Sequence, residues 1–216
     1  MKVKRRVADG VDPKRFRVAI FGSSRVKMSN KVYKEVYTLA RELAERGIGV
    51  VTGGGPGLMR AANSGHKAGS MKTKARSIGL GIKLPKEQKF NGSLDQQETF
   101  FRFTSRLDNF MLLSNAVIVA PGGVGTLLEF FYTWQLVQVK HICHIPIILL
   151  GDQWPDLIKW LEKWPLKHKY FGKKDLHLLF LADDSKEALK VIDKAHEEFL
   201  LGREDFCINY KKYKID

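Results

Sequence analysis

The sequence predicts an α/β fold: a doubly wound, mainly parallel sheet with helices on both faces, built as a single domain. Three observations carry that expectation. Short β-rich apolar runs alternate with segments of helical periodicity along nearly the whole chain. Some of those runs, "AVIVA" at 116–120 above all, have almost no polar residue, as strands covered on both faces require. Finally, three glycine-rich turns, Gly22-Ser23-Ser24, Gly53 to Gly57 and Gly122 to Gly125, each follow a strand-like run. Such turns lie where doubly wound sheets present loops to ligands.

Residues 1–15 form a basic lead-in, 16–201 the domain and 202–216 a basic tail. "RVAIFG" (17–22) is a buried strand ending in glycine. In "SNKVYKEVYTLARELAERG", Val32, Tyr33, Val36, Leu39, Ala40, Leu43 and Ala44 recur at helical spacing. Ser29 or Asn30 caps that helix and Gly47 closes it. "IGVVTGGG" is a strand and turn, and "PGLMRAANSGHKAG" a short helix with proline near its first turn. "SIGLGIKLP" is a third strand running into a polar loop, 85–98, with the turn signal Asn91-Gly92. The start of "TFFRFTSRLDNFMLLSNA" is extended, and a helix begins at Ser105. After the strand "AVIVA" come a helix, "GTLLEFFYTWQLVQVK", a strand, "IPIILL", a helix, "WPDLIKWLEKW", and a strand, "HLLFLADD". "SKEALKVIDKAHEEFL" is a helix capped by Ser185, with Glu187 in its first turn.

The 216 residues suffice for one α/β domain, and 44% hydrophobic with 28% charged residues is an ordinary composition for a soluble protein. No apolar run approaches a membrane span, and "MKVKRRVADG" has no apolar stretch behind it as a secretory signal would. The two cysteines, Cys143 and Cys207, read as thiols in a reducing, cytoplasmic setting. "HICH" (141–144) reads as structural, so no metal is expected. The net charge of +14 raises the question of nucleic acid. Much of it sits in the tails and in 159–174, which holds six lysines, and no helix-turn-helix, zinc finger or RNP-like motif accompanies it. A solvated basic surface that attracts anionic small molecules is the expectation; specific nucleic-acid binding is not.

"TGGGPGLM" places four glycines in five positions, at a cost in backbone entropy that close contacts or unusual dihedrals must justify. It is neither a Walker A loop nor the dinucleotide fingerprint. "PGGVGT" leads straight into a helix whose first amides, with Thr126, can hold a phosphate. The alternative for each turn is tight packing between strand and helix; three at one sheet edge favour a phosphate. Glu129 follows immediately. As a capping carboxylate it would answer the helix dipole. As a catalytic group it would stabilise positive charge on a sugar or activate water. Arg106, one helix before the "AVIVA" strand, could pair with it, bind phosphate, or do both.

"GGGPGLM" (53–59) and "PGGVGTLLE" (121–129) together resemble the paired signatures GGGxxGLM and PGGxGTxxE of the LOG (Lonely Guy) family, long labelled "possible lysine decarboxylase". The resemblance covers 16 to about 200, and "FGSSR" and "IKLPKEQKFN" look like its longer bacterial branch. It implies a Rossmann-like fold and a phosphoribohydrolase, which frees the base and ribose 5-phosphate from nucleoside 5′-monophosphates such as AMP or cytokinin riboside monophosphates. It implies no cofactor, and a homodimer or larger assembly. By resemblance Arg106 and Glu129 are the catalytic pair. Gly122, Gly123, Gly125 and Thr126 hold the phosphate, and base and ribose lie toward Ser23, Gly54, Gly55 and Met59. The chain departs from the pattern at Leu107, where the family has lysine, at Phe110, near its methionine, and at Leu128, often glutamate. These departures bear on substrate preference. No lysine is marked out to hold pyridoxal phosphate, so lysine decarboxylation is not expected. The same fold also serves non-catalytic nucleotide or molybdenum-cofactor carriers, the alternative reading. "FFYTWQLVQ" is apolar around most of its circumference, which also points to an oligomer.

Overall fold

The structure is a computed structural model that describes Asp12, residues 14–85 and residues 89–202. Its strands are β1 (Arg17–Phe21), β2 (Gly49–Thr52), β3 (Ser77–Ile82), β4 (Gln96–Phe100), β5 (Ala116–Val119), β6 (Ile147–Leu150) and β7 (Leu179–Ala182). All are parallel, in the order β4-β3-β2-β1-β5-β6-β7. The chain winds outward from β1 to one edge, then returns through β5 to the other. The switch point therefore lies between β1 and β5, where Val18 to Phe21 pair with Ala116 to Val119. In an open parallel sheet that crevice is where a ligand is held.

The strands alternate between two cores. Val18 and Ile20 of β1, with Ala116 and Ile118 of β5, face one layer. It is made by α1 (Lys31–Glu45), α2 (Leu58–Gly69) and α7 (Ser185–Leu200). Ala19, Phe21, Val117 and Val119 face the other layer, made by α3 (Phe103–Leu113), α4 (Val124–Gln138) and α5 (Trp154–Leu161). A short α6 (Lys173–Leu176) precedes β7. The second layer is rich in aromatic rings: Phe21 meets Phe110 edge-on at 5.0 Å, and Phe130 stacks on Trp134 at 5.7 Å. Among the described residues no helix is long and apolar enough to cross a membrane.

Several local expectations are corrected. The polar stretch 85–98 is not all loop: Gln96–Phe100 is an edge strand paired with β3. Its alternation of half-buried and exposed residues lacked an apolar face, so it gave no strand signal. α3 begins at Phe103, not Ser105. α7 is capped by Asp184, whose carboxylate accepts from the Glu187 N–H at 2.9 Å, and Ser185 is already its first residue. Asn30 is the cap of α1, as one of the two candidates. Cys143 is buried. Cys207, the basic tail from 203 and most of the lead-in 1–15 lie outside the described residues.

Two glycines with left-handed φ separate conformational need from packing need. Gly47, φ +76°, ends α1 with open space where a Cβ would go. Gly57, φ +65°, would bring a Cβ to 2.3 Å from the Ser23 carbonyl oxygen. Gly47→Ala is expected to cost about 1 kcal/mol, the left-handed penalty alone. Gly57→Ala is expected to cost about 3 kcal/mol or more, since backbone must also move. Urea unfolding of both variants measures the difference.

Candidate active site at the switch point

The three glycine turns meet at the crevice through backbone hydrogen bonds. Ser23 donates its N–H to the Pro121 carbonyl at 3.1 Å and accepts from the Leu58 N–H at 2.9 Å. Ser23 thus ties the turn after β1 to the turns after β2 and β5. Its hydroxyl oxygen accepts from the Arg25 N–H within its own turn. Gly22 leaves room for Leu58, whose side chain would lie 2.9 Å from an added Cβ.

The second turn owes Gly53 and Gly54 to the protein's own packing. A Cβ on Gly53 would stand 2.5 Å from the Arg106 guanidinium and 2.7 Å from the Met59 sulfur. On Gly54, φ +72°, it would meet the Phe90 ring at 2.5 Å. Phe90 also covers Gly81. Asn91 fixes that lid: its amide donates to the Gly54 and Gly55 carbonyls and to Asn63 Oδ1, at 2.9, 3.0 and 2.9 Å. Asn63, fully buried, is satisfied in turn by Thr52 Oγ1 and Ser77 Oγ. Asn91-Gly92 had only a turn signal in the sequence; nothing local in it revealed the contacts back to residues 54, 55 and 63.

The third turn is different. Gly122 packs closely, since its Cβ would meet Thr126 Oγ1 at 2.1 Å. Its N–H and carbonyl are both taken by the Gln153 side chain, at 3.0 Å each. Gln153, missed in the sequence because it sits alone ahead of a different helix, thus holds the turn open from the β6 side. Gly123 and Gly125 have nothing within 4 Å of an added Cβ and neither has a left-handed φ. Neither packing nor conformation requires them to be glycine. They border empty space at the amino end of α4, where amides point outward.

Glu129 and Arg106 are brought together behind that turn. Arg106 Nη1 donates to Glu129 Oε1 at 3.0 Å, with side-chain exposures of 10% and 12%. Arg106 Nε donates to the Leu80 carbonyl at 2.7 Å, and its guanidinium lies 5.0 Å from the Phe110 ring centre. Glu129 is in the second turn of α4, not the first, and α4 has no acidic residue in its first turn. The dipole interaction fades within one turn, so capping does not account for a buried carboxylate there. Burial pushes the Glu129 carboxyl above the usual glutamate range, while the charge and hydrogen bond of Arg106 pull it back. Arg106 also lines a cavity of about 630 Å³ with Gly53, Gly54, Gly55, Met59 and Phe90. Glu129 and residues 122–126 are not in its lining, so Arg106 is the link between cavity and carboxylate.

The chain matches the family described as "Possible lysine decarboxylase" over residues 59–192, which include Arg106, Glu129 and the third turn. No curated protein matches it in sequence. Its fold is similar to the molybdenum cofactor binding protein of Rippkaea orientalis: TM-score 0.63, 20% identity, 83% of this chain and 96% of that one. It is also similar to the Moco carrier protein of Chlamydomonas reinhardtii: TM-score 0.62, 20% identity, 85% and 99%. The protein TM1055 gives a TM-score of 0.62 at 22% identity, covering 83% and 99%. With the paired glycine signatures on one sheet edge and more than half of its length matched, the chain belongs to the LOG family, the family described as possible lysine decarboxylase.

Proposed function

We propose that the protein is a nucleoside 5′-monophosphate phosphoribohydrolase. The buried Arg106–Glu129 pair is the observation that carries this reading. A carrier gains nothing from a desolvated carboxylate beside an anion site. A glycosidic hydrolase needs one where positive charge develops on the sugar. The free amides of Gly123, Gly125 and Thr126 hold the 5′-phosphate in this scheme. Gly122 shapes the turn rather than donating, because Gln153 takes its N–H. The ribose then lies over Glu129, and the base extends past Ser23 and Met59 toward the cavity under Phe90. As the bond from C1′ to the base breaks, Glu129 stabilises the oxocarbenium-like carbon and orients water toward it. The new C1′–O bond gives ribose 5-phosphate, and the water's proton leaves with the base. Arg106 keeps Glu129 in place. An apolar stripe on α4, Val124, Leu128 and Phe131, stays exposed and supports a homo-oligomer.

The molybdenum-cofactor proteins share this fold, and they make the carrier reading the alternative that an assay must separate. Purified protein is expected to release free base from at least one member of a nucleoside 5′-monophosphate panel that includes AMP. Glu129→Gln is expected to lower the rate about 100-fold or more while the circular dichroism spectrum is unchanged. Binding without release would favour a carrier. Arg106→Ala is expected to abolish release and to cost about 3 kcal/mol or more in urea unfolding, since it strands a buried carboxylate.

The raised Glu129 pKa has two consequences with opposite readouts. Base release is expected to fall on the acid side at a pH above the ordinary glutamate value of 4.5. Between that value and the raised one, the folded protein keeps a proton that the unfolded chain has lost. Glu129 therefore lowers stability as pH rises through that window, and Glu129→Gln is expected to remove the slope. Urea unfolding of both proteins across the acidic range measures it.

A further inference from the structure

A second constellation lies away from the crevice, between α5 and α6. After α5 the chain runs through one π-type turn, Glu162–Leu166, with Pro165 inside it. It then reverses at Lys169, whose φ of +60° is unusual for a residue with a side chain. The reversal is closed by the Lys169 and Tyr170 N–H groups on the carbonyls of Leu166 and Pro165. It lays Tyr170 on His168, and His168 lies parallel to Trp164: ring centres are 5.7 and 6.0 Å apart, with planes 25° and 6° from parallel. The His168 Nδ1 sits 2.8 Å from the Trp164 carbonyl and fixes the middle ring. Trp164 is 48% and Tyr170 80% exposed. The aliphatic residues Leu157, Ile158 and Leu161 pack inward on the core.

Lysines surround this ladder. Lys159 is paired with Asp156. Lys163, Lys167, Lys169, Lys173 and Lys174 have no carboxylate partner among the described residues. The Lys163 ammonium is 5.4 Å from the Trp164 ring centre. Lys167, Lys169 and Lys173 line an open groove of about 700 Å³ with Glu162, Leu166 and Phe171.

We propose that the Trp164–His168–Tyr170 ladder and its lysines bind single-stranded nucleic acid without sequence preference. Unpaired ammonium groups in the groove beside the ladder take phosphates, and the ring surfaces that the ladder's own stacking leaves exposed take unstacked bases, the two halves of such sites. Duplex fits less well, because its bases are already stacked. A second copy fits poorly, because a two-fold contact would set these unpaired lysines against themselves. A bilayer would reward exposed aliphatic residues, and here they are turned inward. The chain has no sequence-reading motif, in keeping with binding that does not discriminate.

The test uses the full chain and an oligothymidylate of about twenty nucleotides, long enough to span one stacking site. Tryptophan quenching and anisotropy are followed at about 50 and 200 mM salt. Binding with quenching is expected, weakening about 20- to 100-fold between the two salts, as neutralisation of about three to five phosphates of a single strand requires. Trp164→Ala is expected to weaken binding about tenfold, with most of the quench lost and the salt slope kept. Lys167→Ala with Lys169→Gly, glycine suiting the left-handed φ, is expected to flatten the slope by about 1.4. Both variants keep the melting temperature of the parent. No binding at the lower salt would overturn the proposal, as would equal affinity of Trp164→Ala or duplex bound as tightly as single strand. So would binding to phosphatidylserine vesicles that the oligonucleotide does not displace.

Discussion

The ion pair between Arg106 and Glu129 organises the sheet edge where the glycine turns meet. Two charges taken out of water cost several kcal/mol each unless the geometry is good and the remaining donors are satisfied. Here the satisfaction is spread over the sheet. Arg106 reaches the β3 backbone at Leu80, the carboxylate on α4 and the ring of Phe110, and it fits only because residue 53 has no side chain. The two helices that supply the pair stand on the same face of the sheet, and the pair is one of the links between them. The pair resists a purely structural explanation, since apolar residues of similar volume would fill the same space at lower cost.

The glycines divide into two roles that composition alone could not separate. Those of the second turn, Gly53, Gly54 and Gly57, are small because Arg106, Phe90 and the Ser23 backbone occupy the space. Their role is internal, and it is how the turn after β2 serves the pair. Gly123 and Gly125 face nothing. An open, unstrained glycine at a helix amino end has no packing reason to be glycine, and close approach of an anion supplies one. Of the three turns, the third is therefore the one built to accept an anion. Gln153 shapes it by clamping Gly122 from the neighbouring loop and leaving the later amides outward.

Most of the fold was legible because strands buried on both faces and helices with a single apolar stripe leave strong periodicities. β1, β5 and α1 stand within a residue or two of where those periods place them. β4 was not legible: an edge strand with alternating half-buried polar residues has no apolar signal, and its register comes from β3. In the site, Arg106 and Glu129 were legible through a family signature and a suspicious carboxylate. The lid of Phe90 and Asn91 and the Gln153 clamp were not, since each acts across a long stretch of sequence on backbone atoms, which no side-chain pattern encodes. The aromatic ladder was hidden for a different and local reason. Six lysines in a short stretch were plain in the sequence, but stacking of Trp164, His168 and Tyr170 depends on a left-handed Lys169.

A crystal structure of the Glu129→Gln protein with AMP bound tests the proposed division of labour between turn and carboxylate directly. The phosphate is expected on the amides of Gly123, Gly125 and Thr126, with C1′ of the ribose facing the side chain at position 129. Phosphate held elsewhere, or a ribose turned so that C1′ points away from residue 129, would contradict it.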